Sequence, residues 1–203
     1  DLLITHEPTY YVHSHDPEVS LQPKTGHGDE KRRFIEKHNL AILRLHDTWD
    51  RWPEIGIPWA WARFLGFKDK PVAVNGEPWA GGLHRYDIPP MTVGNFARKM
   101  AVRTATIGEP KVQVTGDLDQ EVSKIGVGTG CGCSIDTFRQ LGCDLSIVCD
   151  DGSCYWCGIQ QAEDERHPVI RVNHGTSEEP GMVTLTRYIN DTLKGVKAEH
   201  LPH

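Results

Sequence analysis

Asp1-Leu-Leu-Ile-Thr-His-Glu-Pro8 opens the chain with an apolar run that ends on two metal-type donors. Leu2 to Thr5 reads as a buried strand that delivers His6 and Glu7 to a strand edge, where the active sites of open α/β sheets lie. Near the other end, Asn173-His-Gly-Thr-Ser-Glu178 offers a second pair. His174 and Glu178 are four positions apart, so a helix beginning just after His174 places both side chains on one face. A further carboxylate, Asp50, closes the segment His46-Asp-Thr-Trp-Asp50, directly after the apolar run Leu40-Ala-Ile-Leu-Arg-Leu45. Imidazole and carboxylate are the ligand types that suit Zn, Fe and Mn.

Outward from these segments the chain alternates short apolar strands with helical patterns, which predicts an α/β architecture. Strands are expected at residues 2–5, 40–45, 72–75, 84–88, 111–115, 124–127, 145–148 and 169–172. Helices are expected at 29–37, 58–65, 93–102, 135–141, 155–163 and 179–193, with Gly66 and Gly142 as C-terminal stops. Gly108-Glu109-Pro110 is the expected joint between two α/β lobes with mixed sheets, residues 1–108 and 109–203. On this division the donors near the two ends of the chain come from opposite lobes, and the metal site lies in the cleft between them.

Composition limits the function classes. The 203 residues are 38% hydrophobic and 25% charged, ordinary for a globular protein, with a formal net charge of −6. That charge lacks the basic footprint that binding a phosphate backbone needs, and Lys31-Arg32-Arg33 followed by Glu36 reads as a solvated helix face. Nucleic acid is therefore not an expected partner. No stretch approaches the ~20 apolar residues that span a bilayer, and the first residues do not form a secretory leader. A cytoplasmic protein without a membrane partner is the expectation.

Five segments carry a resemblance: Thr5-His6-Glu7-Pro8, His46-Asp-Thr-Trp-Asp50, Gly82-Leu-His-Arg85-Tyr-Asp-Ile-Pro89, Lys124-Ile-Gly-Val-Gly-Thr-Gly130 and His174-Gly-Thr-Ser-Glu178. In this order and spacing they resemble the NIF-three-like family of dinuclear-metal proteins, also described as GTP cyclohydrolase type-two homologues. The resemblance covers essentially the whole chain. It implies metal ligands at His6, Glu7, Asp50, His174 and Glu178, two divalent ions (Zn, Fe or Mn), and a homo-oligomer of six subunits. It also implies that a helix, a strand and a turn precede Asp1, so an upstream segment is expected. Relatives carry Thr-His-His-Pro where this chain has Thr5-His6-Glu7-Pro8, and His-Thr-Asn-Leu-Asp where it has His46-Asp47-Thr48-Trp49-Asp50. A carboxylate at the Glu7 position brings the set to two histidines and three carboxylates. That change leans toward harder ions or weakens one subsite.

Two divalent ions ~3.5–4 Å apart can share a bridging water that acts as nucleophile while the ions polarise a substrate oxygen. The set therefore points to a metal-dependent hydrolase of a small phosphorylated or heterocyclic substrate, with Glu7 or Glu178 assisting proton transfer. A non-catalytic metal-binding or metal-delivery protein and an interaction scaffold use the same ligands and stand as alternatives. Trp49 or Trp52 beside Asp50 is a candidate for stacking on a planar substrate, and Arg85 for an anion contact. His13-Ser-His15 has ligand spacing but sits in a polar stretch and reads as a surface loop.

All six cysteines, Cys131, Cys133, Cys143, Cys149, Cys154 and Cys157, fall in one region. Cys154-Tyr-Trp-Cys157 is a C-x-x-C of zinc-ribbon or redox type, but the second C-x-x-C of a zinc ribbon is missing, and reduced thiols are the expectation. Gly126-Val-Gly-Thr-Gly130 lacks the last glycine of a dinucleotide fingerprint. It reads as a tight strand-to-helix turn with Ser134 or Cys133 at the helix start, and its N–H groups are candidates to hold an anion.

Overall fold

The computed structural model describes residues 1–11, 26–75 and 82–202 and is a mixed α/β structure. His13 and His15 lie outside the described residues. Two compact units, Asp1–Trp49 and Asp50–His203, are taken in turn.

In the first unit, strands β1 (Leu2–Thr5) and β2 (Ala41–Arg44) pair in parallel, from Leu2 opposite Ala41 to Thr5 opposite Arg44. Helix α1 (Gly26–Lys37) precedes β2, with Asp29 in its first turn and Lys37 in its last, charges that suit the helix dipole. Asn39 turns the chain from α1 into β2 at φ 47°, a left-handed conformation that Asn tolerates. The strand expected to be buried, Leu2–Thr5, is only partly so: Leu2 is 59% exposed and Leu3 36%. The reason is that β1 and β2 form a two-stranded sheet with no further strand beside them among the described residues. A short helix, α2 (Asp47–Asp50), follows β2 and was not anticipated; it buries Trp49.

The second unit is built on a six-stranded mixed sheet. Its strands are β3 (Ala73–Val74), β4 (His84–Thr92), β5 (Gln113–Thr115), β6 (Glu121–Val127), β7 (Leu145–Cys149) and β8 (Val169–Val172), in the order β3-β4-β6-β7-β8-β5. The central three, β6, β7 and β8, are parallel, and the outer pairings are antiparallel. All five residues of β7 are buried, as expected of a central parallel strand covered on both faces. Strand β4 runs past the expected end at Ile88, through Pro89-Pro90 to Thr92. A register shift between Asp87 and Met91 accommodates the two missing N–H donors. Strands β4 and β6, on either side of Gly108, are neighbours in this one sheet.

Helices α3 (Ile57–Leu65), α4 (Val93–Thr104), α5 (Ile135–Gln140), α6 (Gln161–Asp164) and α7 (His174–Thr192) complete the unit. Trp61, Val93, Met100, Ile125, Phe138, Leu145, Ile147 and Ile170 form its dry centre. Gly66 ends α3 in the left-handed conformation, φ 104°, and Ser134 caps α5 by accepting from Thr137 N–H. The expected helix start at residue 179 is corrected: α7 begins at His174, capped by the Asn173 side chain on Gly175 N–H, and Pro180 lies inside it. A Pro followed by Gly reads locally as a helix start, yet the cap upstream governs. No helix among the described residues is long and apolar enough to cross a membrane.

Candidate functional site

Because β1 and β2 are parallel and in register, their C-terminal ends release the chain side by side. Leu45 N–H bonds Thr5 O at 2.8 Å, extending the ladder beyond the strands. The next residue on each branch is a histidine. The rings of His6 and His46 stack with centroids 4.3 Å apart and planes 14° from parallel. His6 is buried, and its Nδ1 lies 3.1 Å from Leu45 O. A carbonyl can only accept, so Nδ1 carries the hydrogen and Nε2 bears the lone pair. His46 Nδ1 is held likewise, 2.7 Å from Asp47 Oδ1, and its Nε2 is 3.5 Å from Glu7 Oε1. One donor atom from each of His6, Glu7 and His46 falls within 4.8 Å of the others.

The second unit builds its donors on the same plan, at the C-terminal ends of β6, β7 and β8. Strand β6 leads to Gly130, β7 to Asp150 and Asp151, and β8 to Asn173 and His174. Asp150 ties two of these loops together, accepting from His174 N–H at 2.9 Å and from the Asn173 amide at 3.1 Å. Glu109 accepts from Asn173 N–H at 3.1 Å. Asp151 Oδ2 holds His174 Nδ1 at 2.7 Å, while Nε2 meets Glu178 Oε1 at 2.7 Å, one helical turn along α7. Clamped between two carboxylates, His174 keeps its proton, with a pKa raised to about 10, chiefly by the Glu178 hydrogen bond. A metal ion taking the Nε2 position displaces that proton. Asp50 and Glu178 bring carboxylate oxygens within 4.8 Å of one another.

Gly130 makes room for this pair. Its φ is +62°, and a Cβ there would stand 3.2 Å from Glu178 Oε1 and 3.3 Å from His174 Nε2. The other glycines of the segment serve packing: a Cβ on Gly126 would strike the Phe138 ring at 2.6 Å, and one on Gly128 would meet Cys133 Sγ and Leu83 Cδ2 at 2.8 Å. They let α5 lie directly on the sheet.

Four functional-type residues escaped sequence reading. Asp150 and Asp151 gave no motif, and Gly130 was read only as part of a turn. His46 was read only as the start of a motif, although its place directly after an apolar strand, parallel to that of His6, was a usable signal. Trp49 is 1% exposed and belongs to the packing, and Trp52 sits 5.3 Å from the Tyr188 ring. Arg85 forks onto Asp87, at 2.8 and 3.0 Å, and gives a third hydrogen to Leu141 O at 3.0 Å, tying β4 to the end of α5. All six cysteines are unbridged; Cys131, Cys154 and Cys157 are exposed and the other three buried.

The chain matches the Duf34/NIF3 (NGG1p interacting factor 3) family over residues 1–202. No curated protein matches it. Among solved structures it is similar to the Staphylococcus aureus hypothetical protein SA1388, at 17% identity and TM-score 0.75, covering 99% of this chain and 77% of that one. Protein ybgI, described as of unknown function, is 20% identical with TM-score 0.74 over 100% of this chain and 77% of that one. A Bacillus cereus protein related to NIF3 is 13% identical with TM-score 0.67, covering 98% and 81%. At these identities the likeness concerns the fold.

Proposed function

The chain belongs to the Duf34/NIF3 family, and from that premise we propose that it binds two divalent ions through His6, Glu7, Asp50, His174 and Glu178 to hydrolyse a small phosphorylated or heterocyclic substrate. The observation that carries this reading is how the imidazoles are held. His6 gives its Nδ1 hydrogen to Leu45 O, and His174 turns Nδ1 to Asp151, so in each ring Nε2 is the atom offered to a metal. Such an acceptor on the second nitrogen is the usual companion of a ligating histidine. His46 joins the set on the same ground, since Asp47 holds its Nδ1 and its Nε2 lies 3.5 Å from Glu7 Oε1.

Ions bound there would polarise a substrate oxygen and acidify water. The chain's own carboxylates manage the protons. Glu178, whose Oε1 lies 2.7 Å from His174 Nε2, and Glu7, half exposed, are placed to accept a proton from an incoming nucleophile. A ring of six subunits is part of the proposal, and light scattering that reports a monomer contradicts it.

Elemental analysis of the purified protein tests the binding half. About two transition ions per chain are expected, and fewer in His6→Ala or His174→Ala; unchanged metal in both variants ends the reading. A panel of small phosphorylated and heterocyclic substrates tests the chemical half, since two bound ions without turnover would remove the hydrolase. Glu7→His separates two roles for the unusual carboxylate. Equal metal content before and after supports ligation by Glu7, and a rise from about one ion to two shows that Glu7 had left a subsite open.

A further inference from the structure

Beyond the metal donors, the chain carries a second reactive cluster. Cys154 and Cys157 lie on one helical turn, where Gly158 N–H bonds Cys154 O at 3.0 Å and Ile159 N–H reaches the same carbonyl at 3.2 Å. Cys154 Sγ accepts the Cys157 N–H at 3.3 Å, which sets the two cysteines on the same turn. Both are exposed, as are Tyr155 and Trp156 between them, at 66% and 73%. The remaining thiols contrast with this pair. Cys133, Cys143 and Cys149 are buried, and burial pushes Cys143 up to about 12. Among the described residues no third His, Cys, Asp or Glu donor joins Cys154 and Cys157 within reach of one metal ion. A closed four-ligand zinc site of the structural kind is therefore not assembled there.

We propose that Cys154 and Cys157 are a redox-active dithiol that exchanges with small, solvent-borne disulfides. Cys154 is the attacking sulfur. Its sulfur accepts the Cys157 N–H, which lowers its pKa, while the neighbouring Cys154 sulfur raises that of Cys157. The Cys154 thiolate attacks one sulfur of the external disulfide and expels the other as a thiolate, leaving a mixed disulfide. Cys157 then loses its proton, attacks Cys154 Sγ and expels the second thiolate. In sum the two cysteines give up two electrons and two protons, and the external disulfide becomes two thiols. Both cysteines lie on one turn outside the sheet, so closing the bond requires no movement of the sheet.

The test is oxidised glutathione added to the full chain as purified, with its metal retained, followed by mass spectrometry and peptide mapping. The expected product is a Cys154–Cys157 disulfide that reduced glutathione reopens. With Cys157→Ser the mixed disulfide on Cys154 should persist, because the resolving thiol is gone. With Cys154→Ser mixed disulfide should form on Cys157 about tenfold more slowly. Cys131, exposed in the same chain, is the internal reference, and iodoacetamide at neutral pH should modify Cys154 about tenfold faster. Alkylation of Cys154 no faster than Cys131, or glutathionylation of wild type without closure onto Cys157, overturns the proposal. Both positions are exposed, so circular dichroism of the serine variants should match wild type and leave these outcomes interpretable.

Discussion

Gly181→Ala is expected to destabilise the protein, against the ordinary rule for a helix. Gly181 lies inside α7, where replacing an exposed glycine by alanine gains about 1 kcal/mol from reduced backbone entropy. Here α7 crosses α3 at this glycine. An alanine Cβ would stand 2.9 Å from Ile57 Cα and 3.1 Å from Ile57 Cγ1. Carbon atoms rest at about 3.5–4.0 Å, so the helices must part by roughly half an ångström or more. Cγ1 can be turned aside, but Cα is backbone and cannot. Overpacking of this kind costs about 1–3 kcal/mol, and separation also forfeits a quarter or more of each neighbouring dispersion contact. Offset by the entropy gain, the net loss should be about 1–2 kcal/mol, or roughly 2–8 °C in Tm for a chain of this size. Urea unfolding at unchanged m-value is the assay. In an Ile57→Val background the same substitution should cost less, because the Cδ1 atom that also meets the new methyl is removed while Cα remains. A rise in the urea midpoint for Gly181→Ala would refute the reasoning.

Gly130→Ala should lower both stability and metal content, since a left-handed φ costs an alanine about 1 kcal/mol and the methyl crowds His174 and Glu178; unchanged elemental analysis would contradict the second part. Asp151→Ala frees the His174 ring to swing and should weaken metal affinity about 10–100-fold in a chelator competition, with less than a twofold change counting against the holding role. His167 is buried, with Nε2 2.8 Å from Ser146 Oγ, and burial lowers its pKa below the usual value near 6.5. Below that value the unfolded chain binds more protons than the folded one, so stability present above about 6.5 is lost as pH falls through the folded pKa. His167→Gln should flatten that fall in urea midpoints measured from pH 7 to 5, and an unchanged slope would show that other groups dominate.

Local pattern was enough to find most elements. The Leu2–Thr5 and Val169–Val172 strands have the expected bounds, and Gly66 and Ser134 end and begin their helices as their backbone chemistry requires. These features depend on side-chain alternation, glycine's freedom and a hydroxyl's reach, all short-range. The candidate ligands His6 and His174 stand out on the same local ground, as imidazoles that follow apolar strands. Family membership followed from the spacing of five short segments.

What escaped the sequence was set by pairing between distant residues. The start of α7 at His174, five residues before the expected 179, is fixed by the Asn173 cap and by Asp150 reaching across from β7. Asp151 and Gly130 matter only because β6, β7 and β8 run parallel and adjacent, so that the loops at their C-terminal ends converge on one helix start. His46 becomes a partner of His6 only through the parallel register of β1 and β2. Residue type and period along a chain decide which strands and donors exist. Which strand lies beside which is decided by burying their faces together, and that three-dimensional choice determines which loop residues meet.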